Sequence, residues 1–332
     1  MDKRIIQKIV EASGLSKGEL ILIHFWGEDV NRQVADDFAV AVAASGATPF
    51  VLQQSRSKNC QLFEVAEDSC FDDNYFSIFS KFDAVLDILT YQPVILGYEL
   101  PENQFGLYRK YMRQLFSVLM QAKRFIQIRI PMEENALESG LEPQEYISRM
   151  TKAYDIDYHE LKVECQKKIT QISGAKKIIL RTENNCELCF DLTNREWLID
   201  AGEGDLPCGE IYIAPQETQT QGTIYFDKLY VKDVGVCEGV TLKICDGKLC
   251  DSDNETMRSF ILGLPEECRV ICELGFGMNA QVTDLCGYTV LDEKMAGAFH
   301  IGIGANTMFG GQNSAPIHMD FVGKGVFEII MI

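Results

Sequence analysis

Residues 20–54 read LILIHFW, GED, VNRQVADDFAVAVAASG and ATPFVLQQ in succession, and the alternation within them decides the fold of the N-terminal half. Leu20 to Trp26 is a short apolar run set between Lys17-Gly18 and Gly27. Its length and flanking glycines predict a buried strand. From Val30 the apolar residues recur at helical spacing until Gly46, which is placed as a C-terminal stop. The run TPFVLQ then predicts a second strand. The same alternation continues through DAVLDIL (Asp83 to Leu89), a helix over Phe105 to Lys123, and RFIQIRI. Short buried strands separated by amphipathic helices predict an open, mostly parallel α/β sheet over residues 1–140. No GxGxxG follows the first strand, so a dinucleotide site is not supported.

A long helical segment is predicted from Pro143 to Ile172, with Pro143 suited to a first helical turn. It is taken as a connector spanning 141–174. Beyond Lys176 the pattern changes to KIILRT, CELCFDL, GEIYIAP, RVICELGFG, AFHIGIG and IHMDFV, with frequent glycines between the runs. These predict a second domain over 175–332, β-rich and of α+β type.

Composition narrows the classes of function. A chain of 332 residues has room for two domains that fold without staples, and 46% apolar with 24% charged residues is a globular balance. The net charge of -18 argues against a nucleic-acid partner, because phosphate binding relies on lysine and arginine. It suits a protein holding carboxylates for a cation. No stretch approaches the ~18 uncharged apolar residues a membrane helix needs. The N-terminus MDKRIIQKIVEASGL has charges throughout and lacks a signal-peptide core, so a cytoplasmic location is expected. The 12 cysteines are then expected as thiols rather than a disulfide framework. Cys186 and Cys189 form a CxxC on a predicted strand, where residues three apart face opposite sides. Cys245, Cys250, Cys268 and Cys272 do not complete a zinc-thiolate spacing.

Four histidines occur, and two of them, His300 and His318, lie near the C-terminus; the others are His24 and His159. His318 and Asp320 sit two apart in IHMDFV, so on a strand they share a face while Met319 and Phe321 pack on the other. His300 lies in AFHIGIG with Gly302 and Gly304 on its side, leaving room beside the ring. Glu273 follows Val-Ile-Cys in an apolar strand, where a carboxylate costs several kcal/mol unless paired or metal-bound. Glu210 opens the apolar strand after a Pro-Cys-Gly turn. Glu293, in LDEK, reads equally as a solvated turn. Together these residues form an oxygen and nitrogen donor set suited to zinc, manganese, cobalt or iron. In the N-terminal half, His24 and Arg129 are weaker candidates; a strand-end histidine is more often structural.

Longer stretches carry a family likeness: AYDIDYHEL, NREWLIDAGEGDLPCGEIYIAPQETQTQGTIYFD, ELGFGMN, LDEKMAGAFHIGIGAN and GGQNSAPIHMDFV. In these the chain resembles the aminopeptidase T and aminopeptidase S family of metalloaminopeptidases, often labelled leucyl aminopeptidases. The resemblance implies metal ligands at Glu210, Glu273, His300, His318 and Asp320, with Glu293 as a further ligand or proton-handling group. It implies two divalent ions (Zn, Co or Mn), a small peptide substrate and a homodimer. Glu210, His318 and Asp320 are expected on one ion and His300 with Glu293 on the other, bridged by Glu273 or Asp320, with Glu273 or Glu293 as catalytic base. Two positions depart from the better-known peptidases. Thr307 stands where they carry a tyrosine seven residues after the first ligand histidine, and Glu293 lies two residues farther from that histidine. The branch is also related to 2,5-dihydroxypyridine dioxygenase, so an Fe(II) ring-cleaving enzyme is the alternative activity. A catalytically inactive peptide- or metabolite-binding relative is the alternative outside enzymes.

Overall fold

The computed structural model describes residues 1–93, 100–232 and 234–332. It divides into two compact units, one of residues 1–158 with 202–207, the other of 159–201 with 208–332. The first unit runs on to residue 158, within the stretch expected as a connector, and the second begins inside a helix.

In the first unit α1 (Lys3–Ala12) leads to β1 (Leu20–Trp26), α2 (Arg32–Ala44) and β2 (Thr48–Gln54). Next come α3 (Arg56–Val65), α4 (Asp73–Phe79), β3 (Ala84–Leu89), α5 (Glu102–Leu119) and β4 (Arg124–Arg129). The unit closes with α6 (Glu133–Glu138) and α7 (Pro143–Tyr154). Helix starts follow capping chemistry: the side chains of Asp2, Ser55 and Asp72 accept from backbone N–H groups of α1, α3 and α4. Among the described residues the sheet runs β2-β1-β3-β4, with every neighbouring pair parallel. Its alternation with helices is the expected α/β arrangement. As an inner strand of a parallel sheet β1 is shielded on both faces, which is why LILIHFW is apolar without alternation. Leu22, Trp26, Phe63, Leu89 and Leu115 pack in one apolar cluster. Each such side chain contributes about 1.5–3 kcal/mol by leaving water.

The helix expected over 143–172 is two helices. The first, α7, stops at Tyr154 and α8 (Tyr158–Ile172) begins after a break at Asp155–Asp157. Asp155 takes a non-helical backbone (φ -86, ψ 61) and its carboxylate receives Lys8 at 2.6 Å and Arg4 at 2.7 Å. Aspartate competes with helical hydrogen bonding through its short side chain, so Asp155 and Asp157, two residues apart, end one helix and precede the next.

Past α8 the second unit is β-rich: β5 (Lys177–Thr182), β6 (Cys186–Asp191), β7 (Leu198–Asp200), β8 (Glu210–Ile213), β9 (Gln221–Val231), β10 (Gly235–Cys245) and β11 (Lys248–Ser252). It continues through α9 (Glu255–Gly263), β12 (Ile271–Gly277), α10 (Thr289–Asp292), β13 (Phe299–Gly304), β14 (His318–Gly323) and β15 (Glu328–Met331). Among the described residues these strands form two antiparallel sheets, ordered β11-β10-β9-β6-β5-β15 and β14-β13-β12-β8-β7. The second sheet holds the chemistry, and its strands β12 and β13 are buried along their full lengths. No helix among the described residues is long and apolar enough to cross a membrane.

Candidate metal centre

Register in the second sheet brings the donors together. Glu273 of β12 lies opposite Gly302 of β13, and Gly302 lies opposite Asp320 of β14. His300 of β13 lies opposite Gly275 of β12. At both places glycine makes the space. A Cβ at position 275 would fall 2.0 Å from His300 Nε2, and one at 302 would fall 2.8 Å from Glu273 Cβ and 2.9 Å from Asp320 Oδ1. The ring expected to lie beside Gly302 and Gly304 therefore rests over Gly275 of the neighbouring strand.

Glu273 is the hinge of the arrangement. Its Oε1 lies 3.2 Å from His300 Nε2 and its Oε2 lies 3.4 Å from His318 Nε2. Glu210 Oε2 is 3.5 Å from His300 Nε2, and Asp320 Oδ2 is 3.3 Å from His318 Nε2. Two donor groups of ligand dimensions result, Glu210–Glu273–His300 and Glu273–His318–Asp320, with donor atoms in each within 4.8 Å of one another. The expected division placed Glu210 with His318 and Asp320; the distances place it with His300. Glu293 stands in neither group. Its Oε1 meets Lys294 Nζ at 2.8 Å.

The backbone fixes which nitrogen of His318 faces the carboxylates. Its Nδ1 lies 2.8 Å from the Ala305 carbonyl and 3.5 Å from Cys272 Sγ, so Nδ1 donates to the backbone and Nε2 is left as the ligand atom. Cys272 is buried, which pushes its thiol up to about 12 and keeps it protonated beside the ring.

Charge within the site is unevenly balanced. Lys294 is 2% exposed, an extreme position for an ammonium, and it is held by Glu210 at 2.5 Å, Glu293 at 2.8 Å and Asp200 at 4.0 Å. Burial opposes its charge, but these carboxylates outweigh burial and hold it well above the usual lysine range. Burial pushes Glu210 up to about 8 against the pull of Lys294, and likewise raises Glu293, with Asp320 adding repulsion. Glu273 goes the other way. Despite burial, hydrogen bonds from His300 and His318 bring it down to about 2. His300 rises to about 9, because Glu273 and Glu210 outweigh burial, and His318 is raised in the same way by Asp320, Cys272 and Glu273. In effect protons on the imidazoles occupy the electrostatic role of a cation.

The residues fit divalent metal. Glu210 Oε2 and Asp320 Oδ1 are buried oxygens without a hydrogen-bond donor. Such lone pairs are rarely left unmet, and a cation between the carboxylates satisfies them. Glu210, Glu273 and His300 would hold one ion, and Glu273, His318 and Asp320 a second.

Sequence reasoning did not find Lys294, Asp200 or Tyr212. LDEK reads as a solvated turn, yet Asp292, Lys294 and Met295 are buried. The apolar run that follows it directly was the available signal. Asp200 lies opposite Glu210 in the ladder, and Tyr212 shares the face of β8 with Glu210. Burial and the neighbouring Glu210, Asp200 and Glu273 carboxylates raise the Tyr212 phenol. Thr307 is exposed in a short 3₁₀ turn. His24, by contrast, is fully buried inside the first unit, with Nδ1 2.7 Å from Asp87 Oδ1.

Known proteins agree with this architecture. The fold is similar to that of wild-type AmpT from Thermus thermophilus, with a TM-score of 0.68 at 17% identity over 98% of this chain and 94% of that one. It is similar also to 2,5-dihydroxypyridine dioxygenase from Pseudomonas putida KT2440, with a TM-score of 0.66 at 12% identity over 99% and 93%. No curated protein matches the chain in sequence. The profile of the thermophilic metalloprotease family M29 matches residues 15–324, so the chain belongs to that family of metal-dependent peptidases.

Proposed function

We propose that this chain is an aminopeptidase that works with two divalent ions shared through Glu273. The observation that carries the reading is the position of Glu273, one oxygen toward each imidazole and common to both donor groups. Charge supports two ions rather than one. The site holds five carboxylates, Asp200, Glu210 and Glu293 against Lys294 and Glu273 and Asp320 against the imidazoles, so with neutral imidazoles and one lysine it carries a formal charge that two divalent cations would cancel. The family and the likeness to AmpT support peptide hydrolysis, and the free amine of a substrate supplies a natural further ligand for exopeptidase action.

When bound, such ions lower the pKa of a water and polarise a peptide carbonyl. The chain's own groups then handle protons and orientation. Glu293 is a buried carboxylate whose affinity for protons is raised, which suits it to take a proton from the attacking water and return it to the leaving amine. Lys294 holds Glu293 and Glu210 in fixed positions through its two short contacts. The Ala305 carbonyl orients His318. A homodimer is part of the same proposal, read by light scattering on the purified chain.

The test is elemental analysis of purified protein together with hydrolysis of aminoacyl-p-nitroanilides after chelation and return of Zn(II), Co(II) or Mn(II). Expected are about two equivalents of metal per chain and activity restored by metal. About one equivalent of iron with oxygen uptake on a dihydroxypyridine would replace this reading with ring cleavage. Metal-loaded protein that cleaves no aminoacyl substrate or peptide would overturn it.

A further inference from the structure

The β10–β11 hairpin carries a cysteine pair that the metal centre does not use. Its turn is Asp246-Gly247, both at positive φ (49° and 75°), and it places Cys245 opposite Lys248. From there the ladder is irregular. Ile244 pairs with Leu249 and Lys243 with Asp251, so Cys250 is the extra residue of a β-bulge and has no partner across the ladder. Freed from the ladder, Cys250 directs its thiol to the Lys243 carbonyl at 3.3 Å and to Cys245, with the two sulfurs 2.7 Å apart. Both residues are only partly buried. A disulfide needs about 2.05 Å between its sulfurs, so the two thiols already stand close to bonding distance.

From this geometry we infer that Cys245 and Cys250 form a reversible thiol–disulfide site that reacts with small disulfides. The Cys245 thiolate attacks one sulfur of a disulfide RSSR, forming a mixed disulfide and releasing RS⁻. Cys250 gives up its proton and its sulfur attacks Cys245, releasing the second RS⁻. The two cysteines lose two electrons and two protons, and RSSR becomes two RSH. Burial and the neighbouring Cys245 push the Cys250 thiol up to about 11, which suits it to the resolving rather than the attacking role. The oxidised form closes a loop around a turn that also seats the metal-bearing sheet. The Gly247 carbonyl accepts from the Ile271 N–H at 2.8 Å, and Lys248 bridges to Val270 at the entry to β12.

The sequence makes the test direct. Trypsin cuts after Lys243, Lys248 and Arg258, so the two cysteines fall on separate peptides, 244–248 and 249–258. Folded full-length protein is incubated with oxidised glutathione, the remaining thiols are alkylated, and the digest is read by mass spectrometry without reduction. Expected is a species in which the two peptides are joined and lighter by two hydrogens than their sum, converted back to separate peptides by excess reduced glutathione. Cys250→Ser should replace the joined species with a glutathione adduct on Cys245. Recovery of both cysteines alkylated, separate glutathione adducts on wild-type protein, or linkage of either cysteine to a third one would each overturn the inference.

Discussion

Both units bury a histidine against a carboxylate, and among the described residues the second alone gathers candidate metal ligands around it. In the first, His24, Trp26 and Gln127 all point to Asp87, at 2.7, 3.2 and 3.0 Å, so donors outnumber the single carboxylate. The ring is further enclosed by Trp26 and Phe116. In the second, five carboxylates face two imidazoles and one lysine, and two buried carboxylate oxygens lack a donor. The difference teaches that a buried His–acid contact says little by itself. What marks a cation site is an excess of acceptors over donors in a place that water does not relieve.

The sharpest way to break this comparison is Glu273→Ala. It should empty both ligand groups and take hydrolysis to background, read by elemental analysis and the aminoacyl assay on the same sample. Retained metal would mean that Glu273 is not shared. Next is Lys294→Met, which leaves Glu210 and Glu293 facing each other without their cation. The metal-free protein should lose about 3–5 kcal/mol in denaturant unfolding. Added metal should recover part of that loss, which a purely structural lysine would not permit. Asp87→Ala should cost about 2–3 kcal/mol, since buried donors are left unmet, with metal content unchanged. A loss of metal there would erase the distinction between the two units.

The smallest effect concerns Lys8 and Asp155. Lys8→Met should cost less than about 1 kcal/mol near neutral pH, because both partners are partly solvated and screened. Asp155 is held below the ordinary carboxylate range, first by the Lys8 hydrogen bond and then by charge from Lys8 and Arg4. Its contribution is therefore complete above the unfolded value of about 3.9 and lost as pH falls through the depressed folded value. Wild type and variant should converge in acid, as read by thermal unfolding across that range.

Much of this was legible in the residues. The strands of the first sheet appear as uninterrupted apolar runs because parallel strands are covered on both faces, and β1 spans the stretch LILIHFW. Glu210 and Glu273 stood out because a carboxylate inside an apolar strand demands a partner, and His318 with Asp320 because strand periodicity gives them one face. The grouping of ligands was not legible. It depends on the register of four strands drawn from residues 210 to 323, and register is set by pairing rather than by local pattern. Lys294 was hidden for a related reason. A lysine after two acids reads as a surface turn, and its burial comes from Asp200 and Glu210, more than eighty residues earlier in the chain. The break between α7 and α8 turned on Asp155 finding Lys8 and Arg4, a contact across most of the first unit.

The hydrogen at position 275 has a consequence for reading other members of the family. The His300 ring occupies the volume that any larger residue there would fill. A relative that kept all five ligand residues but carried alanine at that position would pass an inventory of ligands and still be unable to seat the imidazole. Loss of metal function in such a lineage would then be written in a residue that never touches the ion, and annotation by ligand identity alone would miss it.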